Sequence, residues 1–463
     1  MFPYYDDIIA AMPEYDRYLG LTALEASTDR LAAAHPEVEV RTAGASRAGR
    51  PIRCLEIPGG PLHAVLVGAP HADEPAGALA LECLLPLLAG GLAAELGFGF
   101  SVVKAPDPDA TLVNESWFDV PGDLPGYLLS SYRPAPYDQF DRTFPAAHGR
   151  YAFTRALPEA AAVMDVIGLR PVDFYVGLRG GGVGGASFSL SSGDELLQEQ
   201  LTAVVAAADL PLHRGEPDVP YAGTLAPGVF RAVTLADEYD YHAAFGADPA
   251  VVLTSGAAGD AYAASVWDCF TLVARVPRFT SPKVSDTGPA GLTRREAGLR
   301  GLEIRQRLAE WLHAKYVEAG PLLTRETPWQ RTVHAFLAGV KNDLRAERAC
   351  LQAASRFSEE ATVAQLFDAV YLRELEGLRR VGQFASMVAA EGESGGALAE
   401  LHAAAVAEVR DRAPKLAAAG GLRTAPIRSL VQTQAAALLC GLAAVRERYR
   451  PGRPRPPAPR ASA

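Results

Sequence analysis

Apolar and polar positions alternate in two different ways along this chain, and the change falls near residue 293. Before it, short strand-like runs alternate with helical ones. Leu21, Leu24 and Leu31 lie three or seven apart, so the segment up to about Ala34 reads as a helix. Val38 and Val40, then Ile52, Cys54, Leu55 and Ile57, flank GASRAGRP and predict a hairpin. The run AVLVGAP (64–70) has the character of a buried strand, and the Ala/Leu pattern after HADEP predicts a helix directly behind it. A strand, a polar loop and a helix in that order place polar side chains at a strand end, where α/β sheets hold their ligands.

FSVVKAPDPD repeats the strand-to-turn pattern, and residues 114–145, rich in aromatics, Pro and Gly, read as a long structured loop. A helix is expected over 158–167. DFYVGLRGGGVGGASFSLS then predicts a strand, a glycine-rich turn and a second strand. DCFTLVARVPRF (268–279) predicts another strand, interrupted by Arg275 and Arg278. The fold class implied is α/β, a mixed twisted sheet with helices on both faces. From Thr293 the spacing becomes helical almost to Tyr449. The expected organisation is a sheet-containing domain over 1–320, a helical C-terminal region over 321–449 and a disordered Pro/Arg-rich tail over 450–463.

At 463 residues the chain exceeds the usual span of one domain, and 49% hydrophobic with 21% charged residues is ordinary globular composition. A net charge of -10 argues against nucleic-acid partners. Five widely spaced cysteines without a CxxC pair support neither a disulfide framework nor a cysteine zinc ribbon. The N-terminus lacks a signal-peptide h-region, and no run reaches the ~20 apolar residues of a membrane span, so a cytoplasmic location without membrane partners is expected.

The candidate chemistry centres on His71-Ala72-Asp73-Glu74, where a His and a Glu three apart on a loop can both reach one zinc ion. Alone the pair is weak; its surroundings make it specific. HPEVEV followed by GASRAGRPI lies upstream, and PDPDATLVNESWF, YRPAPYDQFDRTFP and DFYVGLRGGGVGG follow in order. This succession resembles the carboxypeptidase A-like zinc metallocarboxypeptidases over about residues 30–320. LPLHRGEPDVPYAGTLAPGVF, SDTGPAGLTRREA and PIRSLVQTQ look like one bacterial branch of that family. The resemblance implies the family's fold, with His71 and Glu74 as metal ligands and Arg133 and Arg142 in the substrate-binding region.

Two positions depart from that pattern. Where the resemblance implies a third ligand, a His after Leu178, stands Arg179; where it implies the catalytic Glu stands Arg275. A guanidinium stays protonated and only donates, so it can neither bind zinc nor act as a general base. A unit positive charge ~4 Å from a dication costs roughly 8 kcal/mol at an effective dielectric of ~20. The expectation is therefore a catalytically degenerate homologue without a metal cofactor. Its arginine-modified site would bind a peptide or small acidic ligand, and a protein partner is conceivable on the same grounds. In that site Glu74 is expected to pair with Arg179, leaving a guanidinium, Arg179 or Arg275, to grip a carboxylate or phosphate. One alternative is a dead pocket in which the arginines are consumed by Glu74, Asp73 and Asp173. Another is an active zinc carboxypeptidase with a relocated ligand drawn from His148, His213, His242, Cys269 or Glu238. A third is a metal-free enzyme, of transferase type, in a small-molecule pathway.

Overall fold

Strand alternation sorts the side chains of the central sheet onto two separate cores. In β3 (Leu62–Gly68), Ala64 and Leu66 join one hydrophobic cluster while Val65 and Val67 join the other. In β5 (Phe174–Gly184), Phe174, Val176 and Leu178 take the first side and Tyr175 the second. The remaining strands are β1 (Glu39–Ala45), β2 (Pro51–Ile57), β4 (Phe98–Val103), β6 (Ser187–Leu190), β7 (Thr224–Ala226), β8 (Val229–Arg231), β9 (Phe270–Thr280) and β10 (Arg423–Thr424). They form one sheet of order β1-β2-β4-β3-β5-β9-β6-β8-β7, with β10 on β9. The computed structural model describes residues 5–245, 248–392 and 396–449; the tail expected at 450–463 lies outside the described residues.

Helices cover both faces, as the pattern implies. On one side α3 (Pro158–Gly168) and α5 (Gly259–Trp267) pack against Val65, Val67 and Tyr175. On the other lie α2 (Ala76–Leu87), α4 (Glu195–Ala207) and α10 (Ile427–Arg448), packed on Leu66, Val176 and Leu272. The first helix of the hairpin lead-in, α1, spans Leu21–Ala34. The helical region contributes α6 (Arg294–Ala319), α7 (Pro328–Ala353), α8 (Arg373–Ala389) and α9 (Ala397–Gly420). A capping box of Thr293 and Glu296 starts α6 at the point where the sequence changes period. The core does not stop at residue 320, because Leu375, Val381, Val431 and Leu438 belong to the same cluster as Leu66 and Leu272.

Two sequence expectations need correction. The stretch 114–145 holds a helix, Leu124–Ser130, started by Pro at its first turn, as well as loop. Two helical stretches, Ala76–Leu96 and Ile427–Arg448, are long and apolar enough by length and composition to cross a membrane. Their apolarity has a local cause: 61% and 72% of the respective windows are buried in the protein.

The parallel pairing of β3, β5 and β9 aligns their C-terminal ends. Gly68 is in register with Leu178, and Arg179 is in register with Arg275. The loop after β3 and both arginines therefore emerge at one sheet edge, with the two arginines on the same face. Helix α2 can lie against β5 there only because position 77 lacks a side chain: a Cβ on Gly77 would sit 2.3 Å from the Leu178 carbonyl oxygen. The substitution Gly77→Ala should therefore destabilise the protein by about 1–3 kcal/mol through overpacking, measured as a lowered urea midpoint at unchanged m-value.

Candidate functional site

His71, Asp73 and Glu74 sit in the loop between β3 and α2, and all three are buried. The loop is tied to the sheet by Glu74, whose Oε2 accepts the backbone N–H of Gly180 at 3.0 Å. A Cβ on Gly180 would lie 2.9 Å from that of Glu74, so the glycine permits the approach. What holds the three polar side chains together is Arg133. Its Nη1 donates to His71 Nδ1 at 2.8 Å, its Nη2 donates to Glu74 Oε1, and its Nε and Nη2 engage the Asp73 carboxylate at 2.9–3.1 Å. The helical region fixes this arginine in turn. Gln383 Nε2 and Thr332 Oγ1 both donate to the Arg133 carbonyl, at 3.1 and 3.2 Å, and Arg379 reaches Asp73 at 3.4 Å.

The protonation states follow from these bonds. A guanidinium has no lone pair, so His71 Nδ1 is the acceptor and a neutral ring carries its proton on Nε2. Burial, with the Arg133 charge beside it, pushes the His71 pKa down and keeps the ring neutral. Burial alone would raise the Glu74 pKa. His71 first, then Arg133 and Arg275, outweigh that and hold the carboxyl well below the usual carboxylate range.

Arg179 does not pair with Glu74, contrary to expectation. Its Nη2 donates to Asp141 Oδ2, and Asp141 Oδ1 accepts the backbone N–H of Gly259 at 2.9 Å. Glu74 is already filled by Arg133 and Gly180, while Asp141 offers Arg179 an open oxygen. Arg275 pairs with Asp218, a residue whose side chain is 54% exposed. Burial, Arg179 and Arg133 bring the Arg275 pKa down to about 10, against the pull of Glu74, so it remains a cation at neutral pH. Arg142 lies outside this constellation, donating to Glu238 at 2.8 Å and Ser255 at 3.0 Å. Asp173, considered as a partner for the arginines, accepts the His63 N–H at the opposite end of β5. Asp141 sits one residue before Arg142 in FDRTFP, and only its neighbour drew notice in the sequence.

A cavity of about 780 Å³ opens at this edge, lined on the sheet side by Glu74, Arg133, Arg275 and Gly180–Gly182. The opposite wall comes from α6, α7, α8 and the segments between them. The residues present do not fit the zinc ion that the sequence resemblance implies. His71 Nδ1 and Glu74 Oε1 both accept from Arg133, which sets a fixed positive charge between the two implied ligands, and the third position only donates. Relocated donors do not converge either: His148 faces Asp240, His213 bonds the Glu216 carbonyl and Glu238 holds Arg142. Among the described residues no group of three or more His, Cys, Asp or Glu could hold a metal ion.

No family model matches the sequence, and no curated protein does. Among solved structures the chain is similar to a metallo-carboxypeptidase from Burkholderia cenocepacia, at 17% identity and TM-score 0.35, over 56% of this chain. It spans 60% of that structure, less than two thirds of its length. It is also similar to carboxypeptidase A from Helicoverpa armigera (14% identity, TM-score 0.36, 76% of this chain and 80% of that one). A third is bovine thrombin-activatable fibrinolysis inhibitor (13% identity, TM-score 0.37, 56% and 86%).

Removing the central guanidinium should be severe, because it strands three buried polar groups. Arg133→Met is expected to cost about 3–5 kcal/mol of unfolding free energy, read by chemical denaturation. A pH effect comes from Asp260, whose carboxyl is pushed up to about 6 by burial, against the pull of Arg179. Its folded pKa lies above the unfolded value, so its charge destabilises the fold as pH rises from about 4 to 6, fully above that. Asp260→Asn should leave stability at pH 4 nearly unchanged and raise it at pH 8 by about 1–3 kcal/mol, read as thermal midpoints at both pH values.

Proposed function

We propose that this chain is a carboxypeptidase-like protein whose peptidase centre has become a metal-free anion-binding site. One observation carries the reading: the Arg133 guanidinium bridges His71 Nδ1 and Glu74 Oε1, on the two side chains that the sequence resemblance implies as metal ligands. The cation the fold needs at that point is thus supplied by the chain itself. The position where the resemblance implies the catalytic Glu holds Arg275, which cannot serve as a general base.

Arg275 is the group that takes the ligand. It lines the cavity, and its carboxylate partner Asp218 is more than half exposed on a loop, so a ligand carboxylate or phosphate can take Asp218's place. Arg133 and Arg179 are committed to Asp73, Glu74 and Asp141, all deeply buried, and act as positioning residues. A peptide C-terminus or a small acidic metabolite supplies the matching anion.

Calorimetric titration with hippurate and inorganic phosphate tests this. Arg275→Gln should weaken binding roughly 10–100-fold, the loss of one charge-assisted bidentate contact, while Asp218→Asn tightens it by removing the internal competitor. Absence of binding to either anion by the wild-type protein would overturn the proposal, as would stoichiometric zinc with chelator-sensitive peptide hydrolysis. The pair Arg179→His with Arg275→Glu should remain zinc-free as long as Arg133 is present. Zinc uptake by that pair alone, measured by elemental analysis, would contradict the role given to Arg133.

A further inference from the structure

The cavity has a second polar end. Asp368 lines it from the helical side, in a π-helical turn (Asp368–Leu372) that runs into α8. Single π-turns inside helices are frequent at functional sites. The carboxylate is only 7% exposed. Its Oδ2 accepts the Glu216 backbone N–H at 2.9 Å and lies 3.5 Å from His213 Nε2, which itself bonds the Glu216 carbonyl at 2.7 Å. Its Oδ1 is buried and has no hydrogen-bond partner. Burial holds this carboxyl up at about 6, so at neutral pH it is mostly an anion in a poorly solvated wall.

A buried carboxylate oxygen without a donor is costly unless something supplies one. The nearby cation Arg373 is engaged by Glu347 at 2.9 Å. The same lining carries apolar side chains, including Leu128, Ala297, Leu372 and Leu375, among charged ones such as Glu376 and Arg379. The cavity thus presents a guanidinium and an orphan acceptor on walls of mixed apolar and charged character.

We propose that the Asp368 carboxylate receives a protonated amine of the ligand, so that the site takes a short zwitterion: anionic end on Arg275, ammonium on Asp368. The proposal rests on the anion-site reading and adds the other half of the ligand to it. A volume of about 780 Å³ suits a small peptide or an amino-acid derivative and is of the size of drug-sized ligand sites.

The test uses the full chain and a synthetic pool of tripeptides varied at every position. Three versions are compared: free, N-acetylated and C-amidated. Peptide retained with the protein through size-exclusion is quantified by mass spectrometry, with charge-dependent retention checked on Asp368→Asn. The free pool is expected to be retained, and acetylation or amidation should each reduce retention about tenfold or more. In Asp368→Asn the free and acetylated pools should be retained alike, while amidation still weakens retention. Equal retention of free and acetylated pools by the wild type overturns the Asp368 assignment and leaves the anion site standing. Equal retention of free and amidated pools, or retention of none, overturns the anion site for peptides and this inference with it. The acetylation comparison needs no variant, so it decides the matter even if Asp368→Asn does not fold.

Discussion

The arrangement of the sheet edge depends on one cation held among three buried polar side chains. Arg133 closes the loop after β3 onto the strand ends by meeting His71, Asp73 and Glu74 together. Taken singly, each of those groups would resist burial; a planar five-donor fork gives each of them a partner, although His71 Nε2 is left without one. The geometry resembles coordination by a metal in its topology, several donors around one positive centre, but the centre is covalently part of the chain. It therefore cannot be removed by a chelator, and it cannot polarise a water as a Lewis acid would.

The second consequence concerns the neighbouring cations. With Glu74 occupied, Arg179 turns to Asp141 and Arg275 to Asp218, and these two carboxylates differ sharply in exposure, at 3% and 54%. That difference separates a fixed ion pair from one that solvent or solute can exchange. Surface-accessible pairs contribute little to stability, so breaking the Arg275 pair costs the fold little.

Much of the fold was readable from period alone. The hairpin, the buried strand before His71 and the glycine-rich strand carrying Arg179 appear where apolar alternation puts them, and the change to helix comes at the Thr293 cap. Arg179 and Arg275 were legible from the family resemblance, and the structure sets them side by side in register. The other arginine of β9, Arg278, stacks instead on Trp117. Pairings across the site were not legible. Arg133, Asp141 and Asp218 lie in irregular segments without a period, and only the folded chain decides which carboxylate each guanidinium reaches. The helical region was equally opaque: nothing in its spacing reveals that Gln383 and Thr332 hold the Arg133 carbonyl.

Gln434, fully buried in α10, donates through its side-chain nitrogen to the carbonyl of Arg179 at 2.6 Å and faces that of Ala274 at 3.5 Å. These two carbonyls belong to adjacent central strands, yet the donor that ties them comes from 255 and 160 residues further along the chain. During synthesis the strands emerge long before that donor exists, so the ribosome-bound intermediate exposes an apolar sheet face and an unfinished cleft. The tie between the two central strands can therefore close only when α10 docks, a long-range contact that forms late.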